Sequence, residues 1–285
     1  AGWVLLFSTV LLLVAVSNIL PGIVPGAMCG TGVMQATGGM GNRALAFRFA
    51  AVFMLLLRNG LEKLDRSTPS VHLTQTNAGL LLITIPLVFF AITGTFQSIS
   101  ALEVLKPVDC CTALYDSVRS SRDIPAAARI PDIFWIIVFL AGAAFFLIWG
   151  LRMTTASGLQ TVRQFAFGLI LGFIWVLLAS ITLVRILSAY HYQVLHHHCP
   201  WCLFLAEHWL VGYFLFGSLA ALLFETTMAF AAALTGFKFP ELQSAALARI
   251  RKAGIRMVLA VSLFLMIAGL PAVLWRLKHG VWMGG

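Results

Sequence analysis

Seven stretches of the chain are apolar at nearly every position, and the polar residues fall between them. The stretches are residues 3–20, 44–61, 78–98, 130–151, 165–187, 201–224 and 257–275. A helix rises 1.5 Å per residue and needs about 20 apolar residues to cross about 30 Å of hydrocarbon. The pattern therefore predicts an all-α fold: a polytopic integral membrane bundle of about seven transmembrane helices. Pro21, Gly22, Pro25 and Gly26 close the first run, and Gly158 lies in the polar connection after the fourth. The segment 239–256 is basic and amphipathic, which predicts a helix along the membrane surface before the last span. The second run is the least regular because it contains Arg48. That arginine has two readings: its head group snorkels to the interface, or it faces a quinone or an anionic ligand.

Composition agrees with lipid as the main solvent. Of 285 residues, 60% are hydrophobic and 10% charged, with a mean hydropathy of +0.96. A soluble domain carries about 25% charged residues. The net charge of +9 and pI near 9.8 come from residues scattered between apolar runs. They form no basic face or arm, which excludes nucleic acid as a partner and points to anionic headgroups. The first residue, Ala1, fits removal of an initiator Met. The first run lacks a basic leader and a small-residue cleavage site, so it reads as a retained span.

With seven spans, the connections after spans one, three and five share one side of the bilayer. They hold Cys29, then Cys110 and Cys111, then Cys199 and Cys202, which are all five cysteines of the chain. Lys and Arg divide almost evenly between the two sides. The long connection 103–129 holds much of the basic charge of the cysteine side, and the positive-inside rule acts best on short loops. The cysteine side therefore reads as the outside, where disulfides persist.

The densest chemistry is the string Tyr190-His-Tyr-Gln-Val-Leu-His-His-His-Cys-Pro-Trp-Cys-Leu-Phe204. Cys199 and Cys202 form a C-x-x-C pair at the expected entrance of span six. A helix N-terminus and nearby imidazoles stabilise a thiolate there, and the two-residue spacing lets one thiol resolve a mixed disulfide formed by the other. The alternatives are a structural thiol pair and a metal clip. Adjacent Cys110 and Cys111 would strain a vicinal disulfide. They serve two partners, pass electrons, join a soft-metal set, or fasten their loop. Cys29 pairs with one of them, completes a metal site, or stays single. His196, His197 and His198 are an interfacial turn or supply a ligand, His198 first. Glu207 and His208 fall one and two turns inside span six, where an acid is costly unless paired or protonated. They pack against a polar group such as Arg185, or handle protons for a quinone, with His208 also a haem or metal ligand.

Residues 78–224 resemble the vitamin K epoxide reductase family of membrane thiol oxidoreductases. The likeness lies in the order span three, cysteine loop, spans four and five, then Cys199-Pro-Trp-Cys202-Leu opening span six. Two features depart from the family pattern: the loop cysteines are adjacent, and a His triplet precedes the C-x-x-C. The resemblance implies that residues 78–224 are a four-helix bundle; it leaves unexplained residues 1–77, two further spans with the Cys29 loop, and 225–285, a surface helix and last span. It implies a quinone that accepts electrons from Cys199 and Cys202; the candidates to bind it, read from the residues themselves, are Trp201, Glu207, His208 and Arg48. Cys110 or Cys111 would relay oxidising equivalents to an extracytoplasmic thiol protein. The location implied is a bacterial inner (plasma) membrane.

Two other functions fit the same residues. One is binding or transport of a soft metal ion, copper or mercury, by Cys29, Cys110, Cys111, His198, Cys199 and Cys202. The other is a non-catalytic subunit that joins other membrane subunits of a respiratory or assembly complex.

Overall fold

Apolar side chains that cannot be hidden from water, and backbone groups that must bond internally in lipid, leave the helix as the economical local structure. The computed structural model describes residues 2–67, 73–108, 131–158, 161–194 and 197–283. Among these, the regular structure is helical, and seven stretches are long and apolar enough to cross a membrane. They are Gly2–Gly22, Met40–Asp65, Thr74–Ser100, Asp132–Thr154, Val162–Tyr192, Val211–Lys238 and Pro240–His279. Large apolar side chains point outward along them, such as Leu82, Phe96 and Phe237. A water-facing surface would not carry such a belt, so the protein is an integral membrane protein in contact with the bilayer. Hydroxyls inside the spans bond back to carbonyls one turn earlier, as Ser17, Thr84, Thr95 and Thr182 do. Each is thereby satisfied without water.

We number the α-helices α1 (Gly2–Val14), α2 (Gly30–Ala36), α3 (Met40–Asp65), α4 (Thr74–Ser100), α5 (Asp132–Thr154), α6 (Val162–Thr182), α7 (Ser188–Tyr192), α8 (Val211–Lys238) and α9 (Gln243–His279). Packing divides the chain into two compact units. One lies within Ala1–Ala113 together with Phe204–Ala206, and the other within Leu114–Leu203 and Glu207–Gly285.

In the first unit α3 packs on α4 and on α1. Gly2 fits closely against Leu55 and Asn59. Arg48 does not reach outward: its guanidinium donates to Thr95 Oγ1 at 2.8 Å and to Ser8 Oγ at 3.0 Å. At one end of this unit three connections are tied together. The amide of Val108 donates to the Pro25 carbonyl at 3.0 Å, and that of Glu103 to the Ala36 carbonyl at 3.1 Å. Gly26 adopts φ +78° where a Cβ would strike the Val108 backbone. Only glycine tolerates both demands at no steric cost. The Asn18 side chain accepts from the Ala206 amide at 2.9 Å and donates to the Phe204 carbonyl at 3.1 Å.

In the second unit α8 and α9 form a helical hairpin, with α5 on α9 and α6 on α8. An aromatic cluster fills it. Trp175 lies among Phe139, Phe146 and Phe264, and its indole N–H donates to the Phe139 carbonyl at 3.0 Å. Gly142 leaves room for the Trp175 ring, and Gly168 for the Trp149 ring. Glu225, 4% exposed, sits in mid-α8 against two arginines of α9.

Three expectations are corrected. The span expected at 44–61 runs as α3 from Met40 to Asp65, because polar residues at both ends continue the helix. Segment 239–256 is helical, but no breaker separates Arg256 from Met257, so it continues unbroken into the last span as α9. Its 37 residues measure about 55 Å, well beyond the hydrocarbon thickness. Finally, span six does not begin at Trp201. Residues Pro200–Phe204 and Ala206–His208 form tight 3₁₀ turns, and α8 starts only at Val211. Asn18 holds the Phe204 and Ala206 backbone groups that a continuing helix would use itself, and Trp209 and Leu210 take left-handed conformations, φ +60° and +55°.

Candidate functional site

The C-x-x-C sits in the second unit, on the connection between α7 and α8. The long helix that begins at Val162 passes through a wide π-turn at Leu183–Leu187 and ends at Tyr192. Gln193 then adopts φ +55°, which turns the chain back. The Tyr192 hydroxyl donates to the Cys199 carbonyl at 2.5 Å, fixing the start of the C-x-x-C turn against the helix end. The Cys202 amide donates to the Cys199 carbonyl at 3.3 Å and closes the turn. This i to i+3 closure brings both side chains to the same side. The two sulfurs lie within 4.8 Å of each other, and Cys199 and Cys202 are 1% and 7% exposed.

Imidazoles gather around Tyr192. Its ring meets the His197 ring edge-on at 4.7 Å and the His208 ring at 4.8 Å. Burial holds the His208 pKa below the usual histidine value; Glu207 opposes this and His197 adds to it. His208 is therefore uncharged at neutral pH and can accept a proton. His191 Nε2 is buried with no hydrogen-bond partner among the described residues. His198 Nδ1 lies 3.3 Å from the Val184 carbonyl, which occupies one ring nitrogen.

The other expected residues fall as follows. Glu207 and His208 precede α8 instead of lying inside it, and Glu207 is exposed. The cost of burying an acid therefore does not arise. Arg185 pairs with Asp132 at 3.0 Å. Trp201 is half-buried beside the cysteines. Cys29, fully buried, caps the N-terminus of α2 in the first unit, where Arg48 also lies. Cys110, Cys111 and His196 lie outside the described residues. Two residues were missed: Tyr192, which anchors the turn, and His191, whose Nε2 is buried. The string of aromatic and His residues before the C-x-x-C was their only signal.

The arrangement offers two sulfurs at exchange distance in a turn clamped by a single tyrosine, whose ring also meets the uncharged His208. The dipole expected from an α-helix N-terminus is absent, since α8 begins nine residues after Cys202. Thiolate formation would rest on proton acceptors instead. No protein-family model matches the chain, and no curated protein or solved structure matches it either.

Proposed function

We propose that the protein is a membrane thiol oxidoreductase whose reacting pair is Cys199 and Cys202. The single observation that carries this reading is the clamped turn: two buried sulfurs within 4.8 Å, held by Tyr192, whose ring also meets that of His208. In the disulfide form, the pair accepts a thiolate from an extracytoplasmic thiol protein. A mixed disulfide forms as one cysteine of the pair leaves as a thiolate; the second substrate thiol then attacks the substrate sulfur of that mixed disulfide and releases the other cysteine, leaving the substrate oxidised and Cys199 and Cys202 as thiols. Two electrons and two protons then pass to a quinone, which becomes a quinol as the disulfide re-forms. His208 and His197 are the acceptors through which the thiol protons leave. Trp201, half-buried between the two cysteines in sequence, supplies apolar ring surface for a neutral quinone.

Cys110 or Cys111 relays the equivalents between the soluble thiol and this pair. The cysteine side is the extracytoplasmic face of a bacterial inner membrane.

The test uses the purified protein in lipid nanodiscs with a dithiol and a soluble quinone, following quinone reduction by its absorbance. Cys199→Ala is expected to abolish turnover while the melting temperature holds. Turnover retained in that variant would end the proposal, as would a tightly held soft metal that leaves when the pair is alkylated.

A further inference from the structure

Away from the cysteines, the hairpin of α8 and α9 carries a second site. A cavity of about 360 Å³ opens between the two helices, lined by Tyr213, Phe214, Gly217, Ala221, Arg256 and Leu259, among others. Its floor is made of small residues, and no atom lies within 4 Å of the Cβ position at Gly217. Two wall residues, Tyr213 and Ser218, carry hydroxyls, and that of Ser218 is taken up by the Phe214 carbonyl at 2.6 Å. Phe214 and Leu259 are 54% and 63% exposed, which leaves the groove open on its lipid side.

The helices run antiparallel, so the groove has a direction. From Arg256 it follows Leu259 and Leu263 on α9, and from Ala221 it follows Gly217 and Tyr213 on α8. Seven or eight residues of helix give it a length of about 10–12 Å. The charged end is Arg256, at the residue where the polar segment of α9 gives way to the apolar run from Met257. That position belongs at the headgroup level.

Charge then selects the occupant. The Glu225 carboxylate takes Arg249 at 2.7 Å and Arg256 at 3.0 Å, so one negative charge faces two positive ones. Arg249 is the enclosed partner, its side chain 15% exposed, whereas that of Arg256 is 59% exposed. The surplus positive charge therefore lies at the mouth of the groove, and exposed Lys252 stands one turn before it on α9. An apolar trench headed by a cation at headgroup depth complements an amphiphile with an anionic head. A neutral quinone or neutral lipid would leave that charge unanswered.

We propose that this groove binds one anionic phospholipid, its acyl chain lying along Leu259, Leu263 and Phe214 and its phosphate at Arg256. The guanidinium provides two parallel donors for phosphate oxygens. The binding site is independent of the thiol chemistry and stands if that proposal fails.

The test is native mass spectrometry of the full chain, delipidated in mild detergent and titrated with phosphatidylglycerol or with phosphatidylcholine of the same acyl chains. Wild type is expected to bind one phosphatidylglycerol in preference to phosphatidylcholine. R256Q should weaken phosphatidylglycerol roughly fivefold, the factor one interfacial cation contributes toward anionic lipid, and weaken phosphatidylcholine less, since its choline offsets the phosphate charge. Because R256Q also removes a partner of Glu225, a second variant keeps the ion cluster whole. Gly217→Leu fills the trench from a position with open space above it, and should lose both lipids without lowering the melting temperature. Equal binding of the two lipids by wild type would overturn the proposal. So would phosphatidylglycerol binding that survives Gly217→Leu.

Discussion

Removing the carboxylate of Glu225 tests how the second unit tolerates charge inside an apolar hairpin. Glu225 lies mid-way along α8, 4% exposed, and meets Arg249 at 2.7 Å and Arg256 at 3.0 Å. In Glu225→Ala the exposed Arg256 can turn to the interface, but Arg249 is enclosed and its Nη1 already has no partner among the described residues. Leaving one enclosed charge uncompensated costs about 3–5 kcal/mol. Polar contacts between membrane helices average only about 0.6 kcal/mol, because the unpacked helices find other partners in the bilayer. The first figure governs here, since Arg249 stays inside the hairpin as long as α8 and α9 are packed. We expect Glu225→Ala to lose about 3 kcal/mol. R256Q, which removes the exposed partner, should lose no more than about 1 kcal/mol. A double variant, Glu225→Leu with Arg249→Leu, should recover most of the loss by replacing the pair with apolar side chains. Reversible unfolding in mixed micelles with increasing dodecyl sulfate, followed by circular dichroism, measures all three. A Glu225→Ala variant within about 1 kcal/mol of wild type, or a double variant no better than the single, would refute the argument.

Two further outcomes bear on the cysteine turn. Tyr192→Phe deletes the hydroxyl that holds the Cys199 carbonyl, a contact of about 1 kcal/mol; it should speed alkylation of Cys199 by roughly fivefold, and an unchanged rate would show that the clamp is idle. His208 has a folded pKa below its unfolded value, so the unfolded chain takes up the proton first as pH falls. Its contribution to stability is complete above about pH 6.5 and declines below it; the drop in melting temperature from about pH 7.5 to about pH 5.5 should be smaller in His208→Gln, and an identical drop would count against a proton-accepting His208.

The spans were legible because a run of apolar residues long enough to cross a bilayer has almost no other use. Even Arg48 did not hide α3, since two hydroxyls from neighbouring helices satisfy it. Which ends of those runs are helix was far less legible. From Trp201 to Leu210 the chain is nearly as apolar as the helix that follows, so composition carried the span too far. What breaks it is Asn18, far away in sequence, together with two left-handed residues that are not glycine. At the junction of 256 and 257 the error ran the other way. A change from polar to apolar residues reads as a boundary between two elements, yet a helix continues wherever nothing in the backbone interrupts it.

The same distinction explains what could be read of the chemistry. The C-x-x-C is written in the chain, and its spacing alone foretells two sulfurs within reach of each other. The agents that act on the pair are not written that way. Tyr192 reaches it because Gln193 reverses the chain, and His208 reaches Tyr192 because the 3₁₀ turns displace the start of α8. The misread start of span six and the missed tyrosine are thus one error. An uninterrupted helix from Trp201 would have given Cys199 a dipole and carried His208 into the membrane. The broken one gives the turn a hydroxyl clamp and sets His208 against Tyr192, outside the spanning helices. On the proposed thiol function, reactivity of the pair should follow the protonation of His208 rather than a helix field.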